Sequence, residues 1–282
     1  MKIKSSTMDK VFVTCNTIFL VLFVTITLYP VLNTVALSFN DGVDAVRGGI
    51  HLWPRIFTLS NYKTVLHQQN ILTGAVVSVA RTVLGTIFAL VTNALLSYFI
   101  SRKRFLFRSQ LSLFWVITMY VNGGMIPTLV LYRNMNLTNS YAGLIMVYAG
   151  SSGLGYLICK GFFDTVPVAL REAAKLDGAS EARIFFQIVI PMSRPILVYT
   201  IISSFLTPWT DFVVAKMILN SGVSSDWTVA IGLYNMLQKA LVNSYFSRFC
   251  AGGVLVAVPI SILFVIMQKF YVEGITTGAD KG

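Results

Sequence analysis

Two ionisable side chains, Arg81 and Asp211, sit well inside long apolar stretches of this 282-residue sequence. A charge in such a setting is costly in lipid, so it faces a bundle interior or a water-filled path, or else reaches a polar boundary by its own length. That is chemistry for guiding a solute rather than for breaking bonds. The sequence offers no bond-breaking set to go with it. It has no GxxxxGK[ST] run, hence no loop of its own to cradle nucleotide phosphates. Its two histidines, His51 and His67, fall in one loop between apolar runs and read as ordinary loop residues, which leaves no nucleophile–His–acid set. Cys15, Cys159 and Cys250 are scattered through apolar runs with no CxxC spacing, and read as small hydrophobes rather than a disulfide framework or metal site.

The elements that must position these residues follow from composition. Hydrophobic residues make up 55% of the chain and charged ones 12%, with a mean hydropathy of +0.72. A soluble domain carries roughly a quarter charged residues, so the apolar excess here must face lipid. Six runs predict an all-α integral membrane protein with six transmembrane helices, at about 11–39, 73–100, 109–132, 140–163, 196–217 and 249–269. The first is too long for a signal-peptide core and has no small-residue cleavage site after it, so it is expected to remain as a helix. The net charge of +11 does not mark a nucleic-acid binder, because Lys and Arg fall in the gaps between apolar runs. With the N-terminus inside, the inner segments hold fourteen Lys and Arg against seven outside, which satisfies the positive-inside rule and puts both termini in the cytoplasm.

In that frame Arg81 and Asp211 both fall in the outer half of the membrane, counting about 1.5 Å per residue. They are expected to share a polar environment near the outer mouth, unless each snorkels or caps on its own. Two outer segments, 40–72 and 218–245, are long, and the second carries Asp226, Trp227 and Tyr234. The run Gly150-Ser151-Ser152-Gly153-Leu154-Gly155 lies in a span and reads as close helix packing.

The longest inner segment, 166–195, reads as helix, break, helix. Asp164 or Thr165 can cap it, and Pro167 suits a first helical position. Residues 168–176 are strong helix formers, and Gly178 tolerates the left-handed backbone that ends such a turn. Ser180 caps a second short helix carrying Ile184, Phe185 and Ile188, stopped at Pro191, with Pro195 following.

The order Glu172-Ala173-Ala174, then Gly178, then Ile188-Val189-Ile190-Pro191 resembles the "EAA" loop of ABC importer permeases. From about residue 70 onward the chain resembles the maltose-type carbohydrate group. Asn122-Gly123-Gly124-Met125-Ile126-Pro127-Thr128 and Asn136-Leu137-Thr138-Asn139-Ser140 are similar to its oligosaccharide and complex-glycan subgroup. Trp209-Thr210-Asp211-Phe212 resembles that group's Trp-Asn-Asp/Glu-Phe segment, with Thr210 in place of Asn. The resemblance implies a type I ABC importer permease fold. Its parts are an N-terminal tail, first helix and outer loop (1–69), a permease core (70–272) holding the coupling loop 166–195, and a cytoplasmic Gly-rich tail (273–282) able to extend between two ATPases.

The resemblance also implies roles and partners. Glu172 pairs with a basic residue in a groove of the ATPase, Ala173 and Ala174 permit close packing, and Asp177 and Gly178 complete the turn. Two ATPase subunits bind the ATP and Mg, and this chain binds no cofactor or metal and has no catalytic residues. A second permease, expected to be a different chain, an extracytoplasmic solute-binding protein, membrane lipid and a saccharide complete the set. Aromatic faces stack on sugar rings and amides bond hydroxyls, so Asn122, Trp209, Asp211, Arg81, Trp115 and Tyr148 are the expected substrate path, with Tyr120 and Phe205 nearby in type. An importer of a different small solute is the alternative. An ion-driven secondary transporter would want acidic residues in several spans, and only Asp211 is available.

Overall fold

The computed structural model describes residues 7–121, 123–150, 152–219, 228–240 and 245–279. In chain order the helices are α1 (Thr7–Ser38), α2 (Gly42–Ala45), α3 (Ser60–His67), α4 (Gln69–Ser101), α5 (Arg108–Tyr120), α6 (Met125–Asn134), α7 (Tyr141–Ala149) and α8 (Gly153–Asp164). There follow α9 (Val168–Leu176), α10 (Glu181–Ile184), a π-helical turn (Phe185–Val189), α11 (Ile190–Met192), α12 (Arg194–Thr210), α13 (Val213–Ile218), α14 (Val229–Ala240) and α15 (Phe246–Ala279). The β-structure among the described residues is one isolated antiparallel bridge, Asn40 to Phe57.

Three of the six expected spans are single apolar helices, Met8–Ser38, Ile71–Ser101 and Phe246–Lys269. The other three are broken. α5 and α6 meet at 116°, and α7 and α8 at 42°. Gly124 heads α6 at φ +89°, a conformation open to glycine, and Ser152 caps α8 by accepting the Gly155 N–H. The stretch expected at 196–217 is interrupted: α12 ends at Thr210 and Asp211 turns extended (φ −71°, ψ 124°) before α13 starts. α15 runs on to Ala279, so residues 273–279, expected as an extended tail, are helical. Asp226 and Trp227 of the second outer segment lie outside the described residues.

The chain divides into two compact units. One holds Met1–Gln69 with Leu233–Ala257. In it α1 buries none of its most apolar window. Its threonines hide their hydroxyls by donating to the carbonyl four residues back, as Thr14, Thr17, Thr25 and Thr27 do, which suits a helix in lipid. Beyond Ser38 a polar knot orders the segment that follows. Buried Asn40 accepts the Arg55 and Ile56 N–H groups at 2.7 and 2.9 Å, and Asn61 donates to the carbonyls of Ser38 and Asn40. Arg55 pairs with buried Asp44 at 3.0 Å. A hydrogen bond from Asn40 outweighs burial at Asp44 and, with Arg55, holds its carboxyl below the usual range.

The second unit holds Asn70–Gly232 with Val258–Gly282. Here α8 packs on both α5 and α12. Close approach is enforced at Gly153, where a Cβ would come within 2.6 Å of the Trp115 carbonyl oxygen. Tyr156 is fully buried on α8, its hydroxyl bonded to Ser112 and its carbonyl taking the Ser97 hydroxyl. One apolar core joins Ala94 and Tyr98 of α4, Phe163 of α8, and Ile184, Phe185 and Val189 to Leu197 of α12. A smaller one joins Leu144 of α7 to Ala215 and Leu219. The Asn136–Ser140 motif is the turn between α6 and α7. Asn136 and Asn139 adopt φ near +54° and +53°, Asn139 donates its N–H to the Ile218 carbonyl, and Ser140 caps α7.

Candidate functional site

The segment 166–195 folds as a hairpin whose two arms have opposite characters. α9 ends in paired backbone bonds, Gly178 N–H to the Lys175 carbonyl and Ala179 N–H to the Ala174 carbonyl, with Gly178 at φ +78°. This is a Schellman turn, and glycine is the residue that enters it without strain. Ser180 then accepts the Arg183 N–H and starts the second arm. Pro191 has no N–H to give the carbonyl four residues back, and the turn ahead of it widens to a π turn instead of ending. The arm therefore stops at Ser193, past the expected Pro191, and α12 leaves at 83°. The expected caps at the hairpin's start are absent: Pro167 occupies the cap position without a side-chain bond, and Asp164 pairs with Lys160 at 2.6 Å.

The second arm is embedded through Ile184, Phe185 and Val189. The first arm presents Glu172, Ala173, Asp177 and Gly178 to the outside, with Ala174 half-buried and Leu176 90% exposed at the tip. Two residues not singled out by sequence fasten the hairpin. Arg171, 7% exposed, donates to the Phe163 carbonyl at 2.6 Å and so ties α9 to the end of α8. Glu181 accepts the Lys175 ammonium at 2.6 Å, the Tyr98 hydroxyl at 2.9 Å and the Arg102 guanidinium. Burial alone would raise the Glu181 carboxyl; the hydrogen bonds from Lys175 and Tyr98 and the Arg102 charge prevail and hold it below its ordinary value.

The two intramembrane charges do meet, though not as an ion pair. Arg81 is 1% exposed and donates to the backbone carbonyls of Pro208 and, at 2.8 Å, Asp211. These belong to the end of α12, where carbonyls lack intrahelical partners. The Asp211 carboxylate points elsewhere: it accepts the Tyr148 hydroxyl at 2.6 Å and the N–H groups of Val214 and Ala215, capping α13. The Tyr148 ring lies 5.6 Å from the Arg81 guanidinium and completes the group. Arg81, Tyr148 and Asp211 thus come together, and the charge that sequence would pair with Asp211 is bound to its backbone.

Next to this node a cavity of about 480 Å³ opens between α4, α8 and α12. Tyr148 and Pro208 line it, and so do Asn93, Tyr199, Ser203 and Thr207. The last three repeat every four residues on α12, one face of the helix. That stripe was present in the sequence, but averaging over a span conceals it. Of the other expected path residues, Trp209 is 4% exposed and stacks on Phe205 at 5.8 Å. Trp115 sits at the α5–α8 contact, 6.4 Å from the Tyr156 ring. Asn122 lies outside the described residues.

Residues 81–276 match the family described as binding-protein-dependent transport system inner membrane component. The galactooligosaccharides transport system permease protein GanQ of Bacillus subtilis is 33% identical over 263 residues, 91% of each chain. The maltodextrin transport system permease protein MalD of Streptococcus pneumoniae is 37% identical over 211 residues, covering 70% of this chain and 72% of that one. In fold the chain is similar to a solved bacterial ABC transporter involved in the import of the acidic polysaccharide alginate, with a TM-score of 0.85 at 23% identity over 96% of this chain and 100% of that one. The architecture is the type I ABC importer permease fold, and the chain belongs to the inner membrane components of binding-protein-dependent transport systems.

Proposed function

We propose that this chain is a permease subunit of an oligosaccharide importer, driven by separate ATPase subunits that dock on the 166–195 hairpin. The division of the hairpin into an embedded arm and an exposed arm carries this reading. Glu172, Ala173 and Leu176 offer a charge, a small-residue surface and an apolar tip on one short helix, a combination suited to a partner's groove. Asp177 and Gly178 shape the tip. Force applied to α9 has a short route inward through Arg171 to α8 and through Glu181 to α4. ATP and Mg belong to the ATPases. A second permease chain and a solute-binding protein complete the assembly, and the hairpin and both termini are on the cytoplasmic side.

The saccharide assignment draws on the relatives' names and on the cavity lined by Asn93, Tyr148, Tyr199, Ser203 and Thr207. Amide and hydroxyl groups in an otherwise apolar bundle suit a polyhydroxylated solute. Arg81, Tyr148 and Asp211 frame that path, while Trp115 and Trp209 serve it from packed positions; Asn122 remains a proposed path residue. Affinity purification from native membranes should recover an ATPase, a second permease and a binding protein. The reconstituted assembly should then import a maltodextrin or galactooligosaccharide only with ATP. A chain that purifies alone and never captures an ATPase would defeat the proposal.

A further inference from the structure

We propose that the cleft between the end of α4, the start of α5 and the base of the hairpin binds the phosphate headgroup of an anionic phospholipid. The cleft measures about 620 Å³. Seven Lys and Arg side chains line it against three carboxylates, those of Asp164, Glu172 and Glu181. Two of the three carboxylates are already engaged, Asp164 by Lys160 and Glu181 by Lys175 and Arg102. Lys103, Arg104 and Arg108 have no ion pair among the described residues, so the surplus is positive and unanswered. At the back wall Arg171 is more than nine-tenths buried and its Nε, like that of Arg102, is covered, so a headgroup in the cleft is met by the exposed cations Lys103, Arg104 and Arg108. Phosphate oxygens are natural acceptors for such exposed guanidinium and ammonium groups.

A lipid, rather than a soluble acid, is indicated by what surrounds the cations. Arg102-Lys103-Arg104 and Arg108 bracket Phe105, Leu106 and Phe107, all exposed, with Leu106 at 89%. The loop joins the end of one apolar span, Ser101, to the first residue of α5, Arg108. Cations flanking exposed apolar side chains at a span end sit at the headgroup level, with the apolar groups toward the acyl chains. Arg171 both lines the cleft and holds the end of α8, so headgroup occupancy steadies the base of the hairpin.

The test uses the full chain in nanodiscs of phosphatidylcholine alone or with phosphatidylglycerol, and native mass spectrometry to count retained lipid. Phosphatidylglycerol should be retained selectively, and Arg104→Gln with Arg108→Gln should weaken retention about thirty-fold. Leu106→Asn should weaken phosphatidylglycerol and leave inorganic phosphate unaffected. Thermal stability in phosphatidylcholine alone should be the same for all variants, which separates lost binding from lost folding. Equal retention of both lipids by the unaltered chain overturns the proposal. So does competition by millimolar inorganic phosphate that removes the lipid completely, or a double variant that loses an ATPase partner while keeping its lipid. Lipid counting needs no transport, so its failure is distinct from failure of the importer reading.

Discussion

Two buried arginines make nearly the same contact in different surroundings. Arg81 on α4 and Arg171 on α9 each give a guanidinium N–H to carbonyls at the end of a helix, α12 for the first and α8 for the second. Arg81 is buried beside the face of Tyr148 and has no carboxylate ion pair among the described residues. Arg171 lies in a cleft with six further cations and three carboxylates. The contact is the same, and the setting decides its purpose. In the apolar bundle the arginine closes a helix break that lipid could not hydrate. At the polar end it pins the exposed helix α9 to the end of α8.

Substituting the first arginine should therefore do the most damage. Arg81→Leu leaves two carbonyls without their donor, at about 1–3 kcal/mol each, and should lower the detergent melting temperature sharply. Combining Arg81→Asp with Asp211→Arg should fail to restore either stability or transport, since neither side chain's charge is bound to the other's. Recovery in that double variant would show that the node is an ion pair after all. Arg171→Leu orphans a single carbonyl, so about 1–3 kcal/mol is expected, with loss of ATP-driven transport exceeding the loss of stability.

Gly178→Ala meets no atoms within 4 Å, so its cost is the left-handed backbone alone, about 1–2 kcal/mol. Transport should fall while lipid retention stays. The smallest effect belongs to Glu181→Gln, under about 1 kcal/mol because the side chain is half exposed. Its signature is in pH. The carboxyl is held low, so its contribution is complete above the ordinary carboxylate value and fades as pH falls through the lowered one. Melting curves of the unaltered chain should thus drop more steeply on acidification than those of the variant.

Much of this was legible from sequence because lipid constrains sequence so strongly. The three unbroken spans follow from apolar length, and the hairpin turn from Gly178 and Ser180, residues whose backbone and capping preferences are local. The breaks were harder to see. At Asp211 the helix ends because its carboxylate is needed by α13, and at the Arg81 node the partner is a carbonyl, which carries no mark in the sequence. Glu181 escaped for the opposite reason: an acidic first-turn residue is too common to stand out until Lys175, Tyr98 and Arg102 converge on it. The tail 273–282 has a glycine content that suggests extension, yet α15 continues through residues 273–279.

One consequence remains in α1. The helix from Met8 to Ser38 has 31 residues and is about 46 Å long at 1.5 Å per residue, against a hydrocarbon layer of about 30 Å. The Ser38 end is tied down by Tyr62 and Asn61, so the excess length must be taken up by tilt or by projection at the other end. That makes α1 a gauge of bilayer thickness. In thin membranes it leans, in thick ones it stands, and hydrophobic mismatch there acts on the polar knot beyond Ser38.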